Sequence, residues 1–405
     1  MSPFCFSIYP APSMFSYNRY KTYMKEKLIE KDHHAWIDIL RIFACFLVVL
    51  SHSSDPFIGQ FENNYSEFVN GSLLGSIVRS CVPLFIMISG YLLLSENLNN
   101  MAAFYNKRAK RLIIPFVTWS VLLPILYFLY VNYTSPGLSS DLEKNGFTAG
   151  ATWKNIYFSV LNFNYATTVL WYMYMLFGLY LFLPIIGSWL QNTSKKNIQC
   201  YLIIWVFTLF LPYIEQIAPA LGYSGNFGNY GILGVCDWNI QGTFYYFSGY
   251  MGYMVLAHYL RTYPLTWSWK VTLLVALILF SVGFAITFLG TLSVLKSPID
   301  RYKNIEVVWN FVGINVFLMT VSIFIVFQKI NVKKRPWVTK LSSLTLGVYL
   351  CHFVIVQLFY DLIHPISDGI PAFFRILLIA CCTFISAMIT VFIISLSKIL
   401  RKTIM

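Results

Sequence analysis

The stretch Arg41–Ser54, RIFACFLVVLSHSS, decides how the rest of the chain is read. An unbroken apolar run, Ile42 to Leu50, lies between an arginine and a histidine. The apolar segment around it opens near Ala35, which makes it long enough to cross a hydrocarbon core of about 30 Å. A backbone surrounded by lipid has to satisfy its own hydrogen bonds, so the segment is expected to be an α-helix. On a helix, the eleven steps from Arg41 to His52 turn through about three full turns plus 20°, so the two side chains share a face about 16 Å apart along the axis. Asp38 lies on that face one turn before Arg41.

The pattern recurs along the chain. Of the 405 residues 58% are hydrophobic and 11% charged, more apolar surface than a soluble domain can hide. Ten apolar spans are expected, starting near Ala35, Ile77, Leu112, Thr168, Tyr201, Gly242, Val271, Glu306, Leu341 and Pro371. The fold class is therefore an all-α integral membrane protein, a bundle of about ten transmembrane helices. If residue 1 starts in the cytoplasm, 21 of the 29 Lys and Arg residues fall in segments on that side. Both termini are then cytoplasmic, and the net charge of +13 reads as positive-inside bias rather than as a nucleic-acid surface. The parts are a cytoplasmic segment 1–34, a membrane domain 35–398 and a cytoplasmic tail 399–405. Residues 1–23 have prolines and no helical period, so they read as a disordered tail or a mis-assigned start ahead of Met24. No cleavable signal peptide and no internal repeat is evident. The eight cysteines form no CxxC pair, which argues against a disulfide framework or a zinc site, and no metal is expected. The larger outer loops, 134–167 and 216–241, are rich in Asn, Gly, Tyr and Trp. They read as an interfacial aromatic belt, with a sugar-binding rim as the sharper alternative.

Ionisable side chains inside a span are costly and point to function by default. His52 follows an apolar stretch and is backed by Ser53, Ser54 and Asp55. It reads as a general base, with Asp55 one turn beyond it and placed to orient it. Arg41 has two readings, a ligand for an anion or an anchor that pairs with Asp38. Arg108 and Arg111, in the run KRAKR, face together on a helix, although positive-inside bias explains their charge equally well. Ser89 and Gly90 interrupt the span VPLFIMISGYLLL and suit close helix packing. Tyr349 and His352 lie one turn apart in LGVYLCHFVIVQ, with Tyr349 a candidate hydrogen-bond partner for a structural or catalytic histidine. A phosphate site at one end of a helix and a base three turns away suit a long, thin donor such as an acyl-CoA.

Taken in order, the Arg41-x10-His52 spacing, VPLFIMISGYLL, the RxxR of Arg108 and Arg111, and TLGVYLCHF resemble the membrane acyltransferase-3 family. WIDILRIFACFLVVLSHSS and GTFYYFSGYMGYMV are similar to its enterobacterial-common-antigen type of O-acetyltransferase. The family's FFxxSG pattern reads FIMISG here, with Ile86 at the second aromatic position. The resemblance implies O-acylation of an exported or membrane-linked glycan, with acetyl-CoA as donor substrate and no resident cofactor. It implies His52 as the catalytic histidine and Arg41, Arg108 and Arg111 as donor-binding residues. Asp38, Ser89, Tyr349 and His352 are expected around the pocket. The expected partners are acyl-CoA, a glycan or lipid-linked saccharide, and the bilayer of a bacterial inner membrane, with no nucleic acid. The rival expectation is a transporter or flippase of lipid-linked sugars. A glycan polymerase is a third, though its outer loops would be expected to be larger and to carry arginines.

Overall fold

A computed structural model of the protein describes residues 35–96, 100–134, 144–222, 232–236, 239–293, 301–367 and 369–404. The N-terminal segment 1–34, with the alternative start at Met24, lies outside the described residues. The described residues are helical, and their only β pairing is an isolated bridge between Cys236 and Asn239. The first half holds α1 (Ala35–Ile58), α2 (Tyr65–Ile77), α3 (Cys81–Leu93), α4 (Met101–Tyr133), α5 (Ala149–Ser159), α6 (Trp171–Asn192), α7 (Lys195–Thr208) and α8 (Leu211–Ile217). The second half holds α9 (Met251–Thr262), α10 (Trp269–Ser293), α11 (Arg301–Trp309), α12 (Ile314–Lys329), α13 (Pro336–Ile363), α14 (Ala372–Ser395) and α15 (Lys398–Ile404). Side-chain caps fix several starts. Asn64 accepts from the backbone N–H of Glu67 before α2, and Asn100 from that of Ala103 before α4.

Among the described residues, 9 helical stretches are long and apolar enough to cross a membrane. The expected span near Gly242 is not one of them. It folds as turns followed by α9, a helix of only 12 residues. Two glycines account for the break, because Gly242 (φ 47°) and Gly249 (φ 91°) adopt left-handed conformations that a continuous helix cannot contain.

The segment crosses nonetheless. Running back along α7, Lys195 sits over the ring of Tyr263, Gln199 bonds the Tyr259 hydroxyl, the Trp205 indole donates to Gly249, and Phe207 packs on Phe244. The two segments are therefore antiparallel along the whole of α7. Parity requires the same. α1 and α13 run parallel, with Thr339 bonded to Asp38, Ser342 to Arg41, Thr345 to Cys45, Phe353 against His52 and Tyr360 against Phe57. Two parallel helices separated by an odd number of intervening crossings need 242–262 to be one of them.

α1 lies at the centre, packed by α2, α3, α13 and α14. The close approach of α3 to α9 depends on Gly90, where a Cβ would fall 2.4 Å from the Met254 Cα. The second span begins at Tyr65 rather than near Ile77, with a break between α2 and α3. Its early turns look too polar for a membrane, but the acid among them, Glu67, is buried and accepts from Arg375 Nη2 of α14 at 2.6 Å. His364 Nε2 lies 3.4 Å from the same carboxylate oxygen, so the buried acid sits between two basic groups. The 134–167 loop contains α5, and the C-terminal tail is helical in α15, with Ile404 buried against Trp119 of α4. The seven cysteines among the described residues are free.

Candidate active site

α1 carries polar groups at two levels. At the first, Arg41 donates through Nη1 to Ser342 Oγ at 3.0 Å and lies 3.8 Å from Asp38 Oδ1. Asp38 Oδ2 accepts in turn from the Thr339 hydroxyl at 2.7 Å. Asp38 is thus held by α13 as well as by Arg41, and Arg41 is tied to the same helix through Ser342.

Arg41 also lines a cavity of about 460 Å³. Its walls include Arg41 from α1, Ser89 from α3, Arg108 and Arg111 from α4, Tyr180 from α6 and Arg261 from α9. The three arginines and the serine singled out in the sequence therefore line one space, although they come from three helices. Glu96 is the acid on the wall. It accepts from Arg108 Nη2 at 2.6 Å and has Lys107 Nζ at 3.5 Å. Four guanidinium groups around one carboxylate give a strongly cationic pocket whose planar donors match phosphate oxygens two at a time. Arg261 was not identified in the sequence. It follows the glycine-broken segment, and one of its bonds is to the Tyr91 backbone carbonyl at 2.7 Å.

At the second level, three turns on, His52 Nδ1 lies 2.8 Å from Asp55 Oδ2. A carboxylate accepts, so Nδ1 carries the proton and Nε2 is left as the basic nitrogen. The side chains of His52 and Asp55 are 28% and 39% exposed, so both can be reached from outside the bundle. The helix continues past Pro56 to Ile58, which gives Asp55 the i+3 position it needs. Arg79, at the break between α2 and α3, stacks over Trp309 at 4.5 Å and Phe311 at 5.0 Å.

His352 is fully buried on α13, with its ring 5.2 Å from that of His52. Its Nδ1 donates to the Tyr349 backbone carbonyl at 2.6 Å, not to the tyrosine hydroxyl. That hydroxyl points the other way and donates to the Val169 carbonyl at 2.6 Å. The expected Tyr349–His352 pairing is therefore made through the main chain, because the phenol hydroxyl is already engaged by the Val169 carbonyl. Ile86, at the position of the family's second aromatic, is fully buried.

Residues 34–396 match the acyltransferase-3 family model, described as an acyltransferase domain. No curated protein and no solved structure matches the chain.

Proposed function

The chain belongs to the acyltransferase-3 family, and from that premise we propose that it moves an acetyl group from acetyl-CoA to a hydroxyl of a surface or lipid-linked glycan. It is a multi-pass membrane acyltransferase. The observation that carries the finer reading is the spacing of two chemistries on one helix. A four-arginine cavity opens at Arg41, and the His52–Asp55 pair stands about 16 Å further along α1. A donor with phosphates at one end and a thioester at the end of a flexible arm fits that interval. A flippase of lipid-linked sugars does not fit membership of an acyltransferase family. The glycan acceptor and a bacterial inner membrane with cytoplasmic termini follow from the family resemblance and the distribution of basic residues.

In this reading the donor phosphates meet Arg41, Arg108, Arg111 and Arg261, and binding displaces Glu96 from Arg108. The thioester carbonyl comes to rest beside His52. Nε2 takes the proton of an acceptor hydroxyl as its oxygen attacks the carbonyl carbon. The carbon–sulfur bond breaks, and the CoA thiolate leaves with the proton returned by the imidazolium. Asp55 holds the imidazole in the tautomer that makes Nε2 the base and steadies the positive charge that forms on it.

The test separates donor binding from chemistry. In purified protein, Arg108→Ala with Arg111→Ala should raise the KM for acetyl-CoA far more than the KM for the acceptor. Arg→Lys at both positions should restore only part of the loss, because a point charge lacks the planar fork. Equal effects on the two substrates would remove the assignment.

A further inference from the structure

The transfer chemistry leaves a group of side chains beside His52 without a use. Phe353 of α13 packs edge-on against the His52 ring, with centroids 5.1 Å apart at 83°. Beyond it on the same helix, Gln357 and Asp361 follow at successive four-residue steps. They form a slowly turning stripe that leads about 12 Å away from Phe353. Gln357 Nε2 donates to Asp361 Oδ1 at 3.3 Å, and the Tyr130 hydroxyl of α4 donates to Asp361 Oδ2. Across from the stripe are aromatic rings. Tyr127 and Tyr165 each lie 6.4 Å from the Phe353 centroid, and Tyr165 is 46% exposed.

Three features of this arrangement point to a ligand of one kind. The Asp361 carboxylate accepts from two neutral donors, with His364 three residues on as a charge partner. Each of its oxygens has a further lone pair, so it can accept from hydroxyl groups, and its charge repels phosphates and carboxylates. Tyr165, packed on Phe353 and 46% exposed, adds apolar ring surface at the edge of the stripe. The stripe begins in contact with the histidine that needs an acceptor hydroxyl, and it leads away from the arginine cavity. Tyr165 belongs to the aromatic 134–167 stretch, for which a belt and a sugar rim were the two readings.

We propose that Phe353, Gln357 and Asp361, faced by Tyr130 and Tyr165, form a subsite for the neutral saccharide units that flank the acylated hydroxyl. The subsite rests on the reading that the acceptor is a glycan. Asp361 and Gln357 accept from and donate to ring hydroxyls, and the aromatic faces take the C–H surface of the sugar. The arrangement disfavours acceptors that carry a uronic acid or phosphate at this position.

The test uses purified full-length protein, radiolabelled acetyl-CoA, and a panel of defined oligosaccharides: neutral hexose, N-acetylhexosamine and deoxyhexose trimers, and a uronic acid trimer. With a neutral sugar that wild type acetylates, Asp361→Asn and Gln357→Ala should each raise the acceptor KM about tenfold or more, since each removes a hydrogen bond to the sugar. The KM for acetyl-CoA, read in the same assay, should move much less. Asp361→Asn keeps the side chain's size and its contact with Tyr130, so its folding should survive, and Asp361→Asn should also narrow the gap between neutral and uronic acid trimers. An unmoved acceptor KM in both variants, with wild type active, overturns the subsite alone. So does an equal rise in both KM values. A wild type that acetylates no sugar in the panel overturns the glycan reading, and the subsite with it.

Discussion

The two ends of α1 solve different problems in different ways. At the start, Arg41 and Asp38 are tied to α13 through Ser342 and Thr339, and four arginines from three helices share one cavity. At the finish, His52 and Asp55 pair with each other inside one turn, and a single ring nitrogen is left to act. If the first end binds the donor phosphates as proposed, several groups share that task in parallel, so losing one should weaken binding by degrees. The second end depends on one atom, so losing it should be steep. The helix between them sets the distance, which in the proposed reading suits a long donor.

The largest effect should follow from breaking the single-atom end. His52→Gln keeps the polar volume but removes the base, and kcat should fall by about 10² to 10⁴. The KM for acetyl-CoA should hardly change, because the arginine cavity is untouched. Radiolabelled acetyl transfer by purified protein reads both, and near wild-type kcat would refute the role given to His52.

Next in size is the orienting acid. Asp55→Asn swaps an acceptor for a group that can present either end to Nδ1, and it removes the charge that steadies the imidazolium. A hydrogen bond to a charged group corresponds to about 10- to 100-fold in rate. The loss should appear in kcat, and a change confined to the donor KM would place Asp55 elsewhere in the reaction.

Smaller again is the loss of one arginine among four. Arg261→Ala should raise the KM for acetyl-CoA about tenfold and leave kcat nearly intact. A collapse of kcat with unchanged KM would show that α9 shapes the reaction centre and not the donor pocket. The smallest effect belongs to His352, whose Nδ1 is held by a main-chain carbonyl and whose Nε2 has no hydrogen-bond partner among the described residues. His352→Gln should cost less than about tenfold in kcat. A loss as large as that of His52→Gln would mean that the two rings, 5.2 Å apart, act together.

What the sequence made legible follows from distance along the chain. Arg41 and His52 share one helix, so turn and rise place them without further knowledge. Arg108 and Arg111 are likewise fixed to each other. That these two groups and Ser89 meet in one cavity depends on how α1, α3 and α4 pack, which local periodicity does not encode. The partners of α1 on α13 lie some 300 positions away, as the Asp38–Thr339 and Arg41–Ser342 bonds show. Arg261 was hidden for another reason. Its span is short and broken by two left-handed glycines, and nothing in the local composition says that its last turn reaches the arginine cavity. The start of the second span at Tyr65 is not legible locally, because Glu67 looks out of keeping with lipid until its partner Arg375 is known. Tyr349 and His352 were correctly seen as neighbours on a helix, but spacing alone does not tell a bond to a hydroxyl from a bond to a carbonyl.

In the proposed mechanism, donor and acceptor reach opposite ends of α1. Sealed vesicles of known protein orientation test it directly, with acetyl-CoA confined to one side and a non-permeant saccharide acceptor to the other. Product is expected when acetyl-CoA is on the side of Arg41 and the acceptor on the side of His52, and none when the two are exchanged. Product that forms only when both substrates are on the Arg41 side would contradict it.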